Sequence, residues 1–480
     1  MNFGIVRFVL GWILQFEGIF LILPAITAAV YKEWREVIAF IATALASLLI
    51  GYLMRFKRPK DMSLYTREGF ASVALGWFVM SLVGAVPFVA TGDIPNYIDA
   101  LFETISGLTT TGASILTDVE VVSHGGLFWR SFTHWIGGMG VFVFIMAIVP
   151  LAGGSTMNLM RAESPGPSVG KLVPRVKDTA KALYVIYLGI TGIEVVTLLI
   201  CGMNLFESLT LTFGTVGTGG FGVSNASIGG YSHTVQVVIT VFMILSGINY
   251  TFFFAMIHRQ FKQAFAIEEV RWYLAIIFGS VLIIFINIKN MYTLASDALR
   301  DAFFQVGSII TTTGFSTTDF DTWPQLSKTI IVLLMIIGAC AGSTGGGFKI
   351  SRILILLKAI KKELLMMIHP NMIKKLRLDG RVIPHETIRS TNVFMSIYIV
   401  ILFGSTLLVS FDEFGFTTNF TAVLACLNNI GPGLDLVGPA RNFAFFSPFV
   451  KIILMFDMLA GRLELLPMLI LLVPQCWKKY

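Results

Sequence analysis

Ten stretches of the chain are each long and apolar enough to cross a lipid bilayer as a helix, which requires about 20 mostly apolar residues. Backbone inside the hydrocarbon layer must satisfy its own hydrogen bonds, so repeated crossings predict an all-α polytopic membrane protein. The composition agrees, because 55% of the 480 residues are hydrophobic and only 13% are charged, about half the charge of a soluble domain. The ten stretches lie near residues 4–30, 37–54, 70–91, 129–151, 182–203, 235–257, 272–288, 328–358, 390–411 and 447–473.

Lysine and arginine are distributed unevenly among the segments that connect these stretches. If the N-terminus is cytoplasmic, the inner segments carry roughly three times as many of these residues as the outer ones, as the positive-inside rule requires. An even number of crossings then places the C-terminus in the cytoplasm as well. The net charge of +7 follows from this bias. It does not indicate a nucleic-acid surface, because the basic residues form no single patch or stripe.

A motif centred on glycine occurs four times after residue 60. The first and third copies share TTTG, at 109–112 and 311–314. Each copy follows an apolar segment of about ten residues, which is too short to span a membrane. In three copies a carboxylate stands thirteen residues before the glycine, and a threonine takes that place in the fourth. The glycines are Gly112, Gly220, Gly314 and Gly431, and the residues thirteen positions earlier are Asp99, Glu207, Asp301 and Thr418.

A repeated unit of span, short helix, glycine loop and span suits a pore. A short helix that ends mid-membrane points a partially negative end inward, and extended backbone at that depth is tolerated where it lines a water-filled path. Four such loops around one axis can replace the hydration shell of a monovalent cation with carbonyl oxygens. Acids at the helix starts would give the entrance a cation-attracting rim. Parallel repeats favour this pore over the alternative, a small-solute secondary transporter with inverted repeats. No G-x-S-x-G or H-E-x-x-H motif occurs, so an enzyme is not expected.

The motifs TTTGA, GTGGF, TTTGF and NIGPG, in register between spans, resemble those of the Trk/Ktr/HKT superfamily of cation transporters. The two additional N-terminal spans resemble its TrkH branch. The resemblance implies one pore per chain, built from four fused repeats. The corresponding divisions are two extra helices in 1–60 and repeats in 61–155, 156–260, 261–365 (with a gating loop) and 366–480.

The resemblance implies potassium uptake, with K⁺ bound in a selectivity filter formed by the four loops. In the plant branch, serine at the first glycine position accompanies sodium transport and glycine accompanies potassium; here all four positions are glycine. Transport of sodium, or of monovalent cations without selection, is the alternative. The fourth loop, NIGPG, lacks the threonine of the others. The implied K⁺-binding residues are Thr110, Thr111, Gly112, Thr218, Gly219, Gly220, Thr312, Thr313, Gly314, Asn429, Ile430 and Gly431.

Residues 338–349, GACAGSTGGGFK, interrupt the eighth apolar stretch with glycines that break a helix. A phosphate-binding loop requires lysine directly after its second glycine, and here Phe348 precedes Lys349. A packing hinge is one interpretation; the TrkH resemblance implies a gating loop beneath the filter. Arg462, a cation inside the tenth span, either pairs with the nearby Asp457 or Glu464 or, as the resemblance implies, faces the pore near that loop. The implied gate residues are Gly342, Gly345, Gly346, Gly347, Lys349 and Arg462.

The basic stretch 358–381 is cytoplasmic in this topology. It is either a solvated loop that contacts anionic lipid or a docking surface for a soluble regulator. The resemblance implies such a regulator, a cytosolic nucleotide-binding subunit of TrkA type, and a homodimer in a bacterial inner membrane. Residues 164–175 are a second irregular inner loop. The four cysteines are far apart and form no CxxC motif, so neither a disulfide framework nor a thiolate metal site is expected.

Overall fold

The computed structural model describes residues 1–59, 65–140, 176–371 and 375–478. Within these ranges the chain is helical apart from loops and one small antiparallel hairpin, which pairs Arg377–Leu378 with Arg381–Val382. The prediction of an all-α polytopic fold is confirmed. The predicted inner loop at 164–175 and the second half of the predicted span 129–151 lie outside the described residues.

Six of the described helical segments are long and apolar enough to cross a membrane without a break. They coincide with the first, second, third, fifth, seventh and ninth predicted stretches. Their outer faces are rich in exposed leucine, isoleucine, valine and phenylalanine, as a lipid-facing surface requires. The six are Phe3–Val30, Trp34–Phe56, Thr66–Thr91, Ala182–Ile200, Glu268–Met291 and His385–Asp412.

The two N-terminal spans pack against each other through small residues. A Cβ added to Gly11 would stand 2.8 Å from the carbonyl oxygen of Gly51, and one added to Gly18 would stand 2.9 Å from that of Ala44. Backbones come this close only where side chains are small, and dispersion contacts then hold helices together in lipid. The same first helix also meets Gly76 of the third span through Ile13, so the N-terminal pair is fixed against the first repeat.

A short helix lies between the two long helices of every repeat. The first two begin with asparagine caps: Asn96 accepts hydrogen bonds from the amides of Ile98 and Asp99, and Asn204 accepts one from Glu207. Such caps satisfy amides that have no partner inside the helix. The four short helices are Tyr97–Leu108, Leu205–Val216, Ala295–Ile310 and Phe416–Leu427.

The helix that follows each glycine motif is interrupted or ends at a comparable point along its length. In the second repeat the chain bends by 95° at Gly247–Asn249, a break that the sequence analysis did not predict. The side chain of Asn249 caps the next helix by accepting from the amide of Thr251 at 2.8 Å. The helices concerned are His124–Met139; His233–Ser246 with Tyr250–Ile257; Gln325–Ile337 with Ile350–Ile368; and Pro448–Arg462 with Leu466–Leu471.

The small hairpin and the six-residue helix Phe261–Ala266 lie near the start of the span at Glu268. The carboxylate of Asp379, in the hairpin turn, accepts a hydrogen bond from the amide of Glu268 at 2.6 Å. Lys358 contacts both the Glu268 carboxylate, at 2.6 Å, and the carbonyl oxygen of Arg377, at 2.8 Å. These bonds join the hairpin to the span that begins at Glu268 and to the helix that follows the glycine-rich stretch, Ile350–Ile368.

Candidate functional site

The four short helices end in one shared backbone pattern. Each ends four residues before its motif glycine. Two positions of each following loop have positive φ: 54–58° two residues before the glycine, and 80–95° at the glycine itself. Threonine rarely adopts such angles, because its branched Cβ crowds the backbone. Strain that recurs at matched positions in all four repeats is an imposed feature of the site. The non-glycine residues that carry it are Thr110, Thr218, Thr312 and Asn429.

The loop amides point back toward the helices that precede them. The amide of Thr111 donates to the carbonyl oxygen of Ser106 at 2.8 Å, and the amide of Thr313 donates to that of Ser308 at 2.8 Å. The same bond joins Gly219 to Gly214, at 2.8 Å, and Ile430 to Ala425, at 2.9 Å. Within the described parts of the chain, no hydrogen bond ends on the carbonyl oxygens of the four residues that precede the motif glycines. These oxygens are therefore available to a ligand.

We call residues 110–112, 218–220, 312–314 and 429–431 together the glycine ring, because each segment faces the next in chain order and the fourth faces the first. A Cβ added to any of the first three motif glycines would overlap a carbonyl oxygen of the following repeat. A Cβ added to the fourth would stand 2.8 Å from a carbonyl oxygen of the first repeat. The facing pairs are Gly112 with Gly219, Gly220 with Thr313, Gly314 with Ile430, and Gly431 with Thr111.

Residues 338–349, the glycine-rich loop, lie against the glycine ring where the short helices end. The amide of Gly346 donates to the hydroxyl of Thr312 at 2.6 Å. A Cβ added to Gly345 would stand 2.8 Å from the carbonyl oxygen of Thr311, and one added to Gly346 would overlap that of Asn428. Only glycine permits backbones to approach this closely. The loop therefore forms a floor directly under the third and fourth segments of the ring.

Two cations lie at this loop: the partly buried Arg462 of the last repeat and Lys349, the last residue of the loop. Arg462 donates to the carbonyl oxygen of Thr344 at 2.8 Å and to that of Gly137 at 2.6 Å. Lys349 is buried, and its ammonium donates to the carbonyl oxygen of Gly345. The two acids near Arg462 in sequence have other partners. Asp457 accepts from Ser405, and Glu464 pairs with Arg352. The arginine thus bridges the loop and the second long helix of the first repeat.

The family model for TrkH, described as a cation transport protein, matches residues 37–479. The chain belongs to the TrkH family. The Trk system potassium uptake protein TrkH of Escherichia coli strain K12 is 37% identical over 491 residues, covering 100% of both chains. That of Vibrio parahaemolyticus is 35% identical over 495 residues, again covering 100% of both. The crystal structure of the potassium transporter TrkH from Vibrio parahaemolyticus matches with a TM-score of 0.89 and 33% identity over the whole of both chains.

In this TrkH-family chain, the residues named from the sequence fall into two adjoining groups. All of the residues predicted to bind K⁺ belong to the glycine ring. The predicted gate glycines and Lys349 belong to the glycine-rich loop, and Arg462 reaches that loop from the last repeat. Gly342 accepts a hydrogen bond from the amide of Tyr250 at 3.0 Å, so the loop is also held by the bend in the second repeat.

Glu269 anchors the glycine-rich loop, and the sequence analysis missed it. One oxygen of its buried carboxylate accepts from the amide of Ala341 at 2.7 Å and from that of Ser351 at 3.0 Å. The carboxylate thereby satisfies one amide within the loop and one just after it. The sequence contains only an acid near the start of a predicted span, which is typical of an ordinary flanking residue.

A buried ion pair behind the ring was also missed. Arg130 lies 2.6 Å from Glu103 of the first short helix and donates to the carbonyl oxygen of Gly222 at 2.9 Å. Glu103 also accepts from the hydroxyl of Ser114 and the amide of Ile115, both at 2.9 Å. Arg130 stands at the edge of a predicted span, where an outer flanking residue is expected. The helix begins at His124, however, so Arg130 lies within the helix and its guanidinium is buried in the protein.

Two of the three acids at the starts of the short helices are in ion pairs, whereas the predicted cation-attracting rim requires unpaired carboxylates. Asp99 pairs with Lys451 of the fourth repeat at 2.6 Å, and Asp301 lies 3.4 Å from Arg300. Glu207 has no ion-pair partner among the described residues. Of the three acids at the starts of the short helices, Glu207 is therefore the one whose charge is not balanced by an ion pair among the described residues.

Proposed function

We propose that this chain is the membrane subunit of a bacterial potassium uptake system, with the glycine ring as its selectivity filter. Relatives that match it over their whole length are named Trk system potassium uptake proteins, which supports the assignment of K⁺ as the transported substrate. The observation that carries the proposal is the closure of the ring. Each segment presents a carbonyl oxygen to the glycine of its neighbour, so four equivalent sets of oxygens surround one axis.

Selection in such a ring follows from the cost of removing water from the ion. A dehydrated K⁺ is stabilised when carbonyl oxygens take the place of its hydration shell. Two residues in each ring segment have positive φ, so the successive peptide planes are rotated away from the orientation that they would have in a β-strand. The non-glycine residues concerned are Thr110, Thr218, Thr312 and Asn429, each followed two positions later by the motif glycine. The ends of four short helices add partial negative charge at the same depth. Binding and release of an ion in such a filter makes and breaks no covalent bond, so the proposed role is transport and not catalysis.

The glycine-rich loop and Arg462 form the proposed gate. The loop lies under two ring segments, where it would obstruct the direct path out of the filter on that side. The guanidinium of Arg462 and the ammonium of Lys349 place positive charge beside this path, which opposes the passage of a cation. Opening requires the loop to leave Thr312 and Arg462 to release Thr344. Five glycines in the loop allow such a change of backbone.

The proposed organisation comprises two N-terminal helices in 1–60 and repeats in 61–155, 156–260, 261–365 and 366–480. We place the protein in the bacterial inner membrane with both termini in the cytoplasm, which the lysine and arginine bias supports. The proposed assembly is a homodimer that works with a cytosolic nucleotide-binding regulator of TrkA type, and membership of the TrkH family supports both. The hairpin near Glu268 lies next to the loop anchor Glu269, so a regulator that moved this region would act directly on the gate.

Cation flux into liposomes that contain the purified protein tests the filter. The wild type is compared with Gly112→Ser, whose Cβ would overlap the carbonyl oxygen of Gly219 in a left-handed backbone. Gly279→Ser is the matched control, because nothing lies within 4 Å of a Cβ at Gly279. We expect the wild type and the control to pass K⁺ far faster than Na⁺, and Gly112→Ser to lose that preference.

Two outcomes contradict the proposal. If the wild type passes no monovalent cation even with a regulator present, the pore assignment fails and a small-solute transporter becomes the better description. If Gly112→Ser retains the full preference for K⁺, the glycine ring is not the filter.

A further inference from the structure

The seam between the first and second segments of the glycine ring contains an imidazole. His134 lies in the helix His124–Met139 of the first repeat and is fully buried. Its Nδ1 lies 2.8 Å from the carbonyl oxygen of Gly107, near the end of the first short helix. The amide of Phe221, the residue after the second ring segment, donates to its Nε2 at 3.1 Å. One side chain therefore joins two repeats at the level of the ring.

These two bonds define the proton position on the imidazole. Because Nε2 accepts a hydrogen bond, the ring is neutral and carries its proton on Nδ1, which donates to Gly107. Phe221 packs beside the imidazole with ring centroids 4.2 Å apart and ring planes inclined by 37°, and the guanidinium carbon of Arg130 lies 3.6 Å from the centroid of the Phe221 ring. Both ring nitrogens are thus satisfied in a buried site, where an amide or carbonyl left without a partner is costly.

The second repeat differs from the others at the residue before the motif glycine. That residue is Gly219, whereas the other repeats have Thr111, Thr313 and Ile430. A Cβ added to Gly219 would overlap the imidazole of His134. Gly219 is not among the glycines with positive φ, so its backbone does not itself require glycine. The absence of a side chain at 219 is therefore explained by the imidazole that occupies the space.

The first and third repeats use two threonines where the second uses two glycines. The hydroxyl of Thr109 bonds that of Thr111 at 2.8 Å, and Thr311 bonds Thr313 at the same distance. The corresponding residues of the second repeat are Gly217 and Gly219, which have no hydroxyl to offer. A Cβ at Gly217 would also crowd the backbone of His134. The second segment thus lacks the internal support that the first and third segments possess.

We propose that His134 is a positioning residue for the second filter segment, supplying from the first repeat the packing and the hydrogen bond that threonine pairs supply elsewhere. By holding the amide of Phe221, the imidazole fixes the backbone between Gly219 and Phe221, which orients the carbonyl oxygens offered to the ion. The inference rests on the proposed function of the ring. It predicts that residues 134 and 219 are coupled in ion selection.

A double-mutant cycle in the liposome flux assay tests this coupling. The variants are His134→Ala, Gly219→Thr and the double variant, with Gly279→Thr as the control for added bulk. We expect each single variant to lower the K⁺ to Na⁺ flux ratio by about tenfold, the scale of one buried polar group left unsatisfied. The double variant is expected to recover part of the ratio, because the threonine then fills the space vacated by the imidazole.

A conservative pair of variants separates positioning from simple folding. His134→Gln keeps a donor and an acceptor side by side and should retain most of the preference for K⁺. His134→Asn is one carbon shorter, cannot reach both Gly107 and Phe221, and should lose it. Size-exclusion profiles and thermal unfolding establish that each variant is folded. If His134→Ala does not fold, the comparison of glutamine with asparagine decides the question.

The inference is overturned if Gly219→Thr matches the wild type, if the double variant is no better than its worse single variant, or if glutamine and asparagine at 134 behave alike. A wild type that selects K⁺ while every variant at 134 and 219 keeps its ratio refutes only this inference. A wild type that does not select K⁺ refutes the proposed filter itself, so the two failures are distinguishable.

Discussion

The guanidinium of Arg462 donates to the carbonyl oxygen of Thr344 at 2.8 Å, so the last repeat holds the glycine-rich loop that belongs to the third. The second donated bond, to Gly137 at 2.6 Å, extends the link to the first repeat. One side chain therefore makes the position of the loop depend on helices from three of the four repeats. A displacement of any of these helices should therefore shift the glycine-rich loop beneath the ring.

Replacing Arg462 should release this floor. In Arg462→Met the side chain keeps its bulk but loses the charge and both donated bonds, so we expect a higher K⁺ flux in liposomes without any regulator. Arg462→Lys keeps the charge and should leak less than the methionine variant. Arg441→Met, which alters an exposed arginine, serves as the control. A basal flux that stays at the wild-type level in Arg462→Met would show that the arginine does not restrain the loop.

Glu269 should determine both the stability of the protein and the basal flux past the glycine-rich loop that it holds. Glu269→Ala leaves the buried amides of Ala341 and Ser351 without an acceptor, at a cost of about 1–3 kcal/mol for each. We expect a lower midpoint of thermal unfolding in detergent and a raised basal K⁺ flux. Glu268→Ala removes only the partly exposed ion pair with Lys358 and should cost about 1 kcal/mol or less. Equal effects of the two substitutions would exclude the anchoring role.

The buried pair behind the ring should matter more to stability than its exposed counterpart. Arg130→Met leaves Glu103 as an uncompensated buried charge, which costs about 3–5 kcal/mol. Lys328→Met breaks the more exposed pair with Asp321 and should cost about 1 kcal/mol or less. Thermal unfolding of the two variants in the same detergent measures the difference. Similar midpoints would mean that water or lipid reaches Glu103 once the arginine is gone.

Glu207 stands at the start of a short helix without an ion-pair partner among the described residues, whereas Asp99 at the matching position has Lys451. Glu207→Gln should therefore lower the initial K⁺ flux at low ionic strength by a few-fold, and the effect should fade as added salt screens the charge. Asp99→Asn should have a smaller effect on the salt dependence. The measurement is initial flux at constant K⁺ and increasing concentration of an impermeant salt. A salt-independent loss would assign Glu207 a structural role.

Much of the site was predictable because its requirements are local. Gly112 and its counterparts occupy positions where the backbone has positive φ, and a short apolar segment before each one predicts a helix that cannot span. The helix breaker at 338–349 is equally visible, since glycines at that density cannot continue a helix. Each of these features depends only on residues that are close together in the chain, so the amino-acid sequence alone predicts it.

What escaped prediction depends on partners far apart in the chain. Phe221 and His134 are separated by 87 residues, and Ala341 and Glu269 by 72. Nothing in the residues around His134 or Glu269 distinguishes them from other polar residues near the ends of predicted spans. The bend at Gly247–Asn249 was missed for a related reason. Its backbone is held by a bond from Tyr250 to Gly342, in a different repeat.

The way in which each ring glycine faces a carbonyl oxygen of the next repeat has an evolutionary consequence. Copies of a repeated unit ordinarily accumulate substitutions independently, and most of this chain has diverged in that manner. At the ring, a side chain gained in one copy would intrude on the backbone of the next, so each of these four glycines is constrained by a copy other than its own. A substitution at one of them is therefore also a change in the surroundings of the neighbouring copy, and the repeats are not independent at these positions.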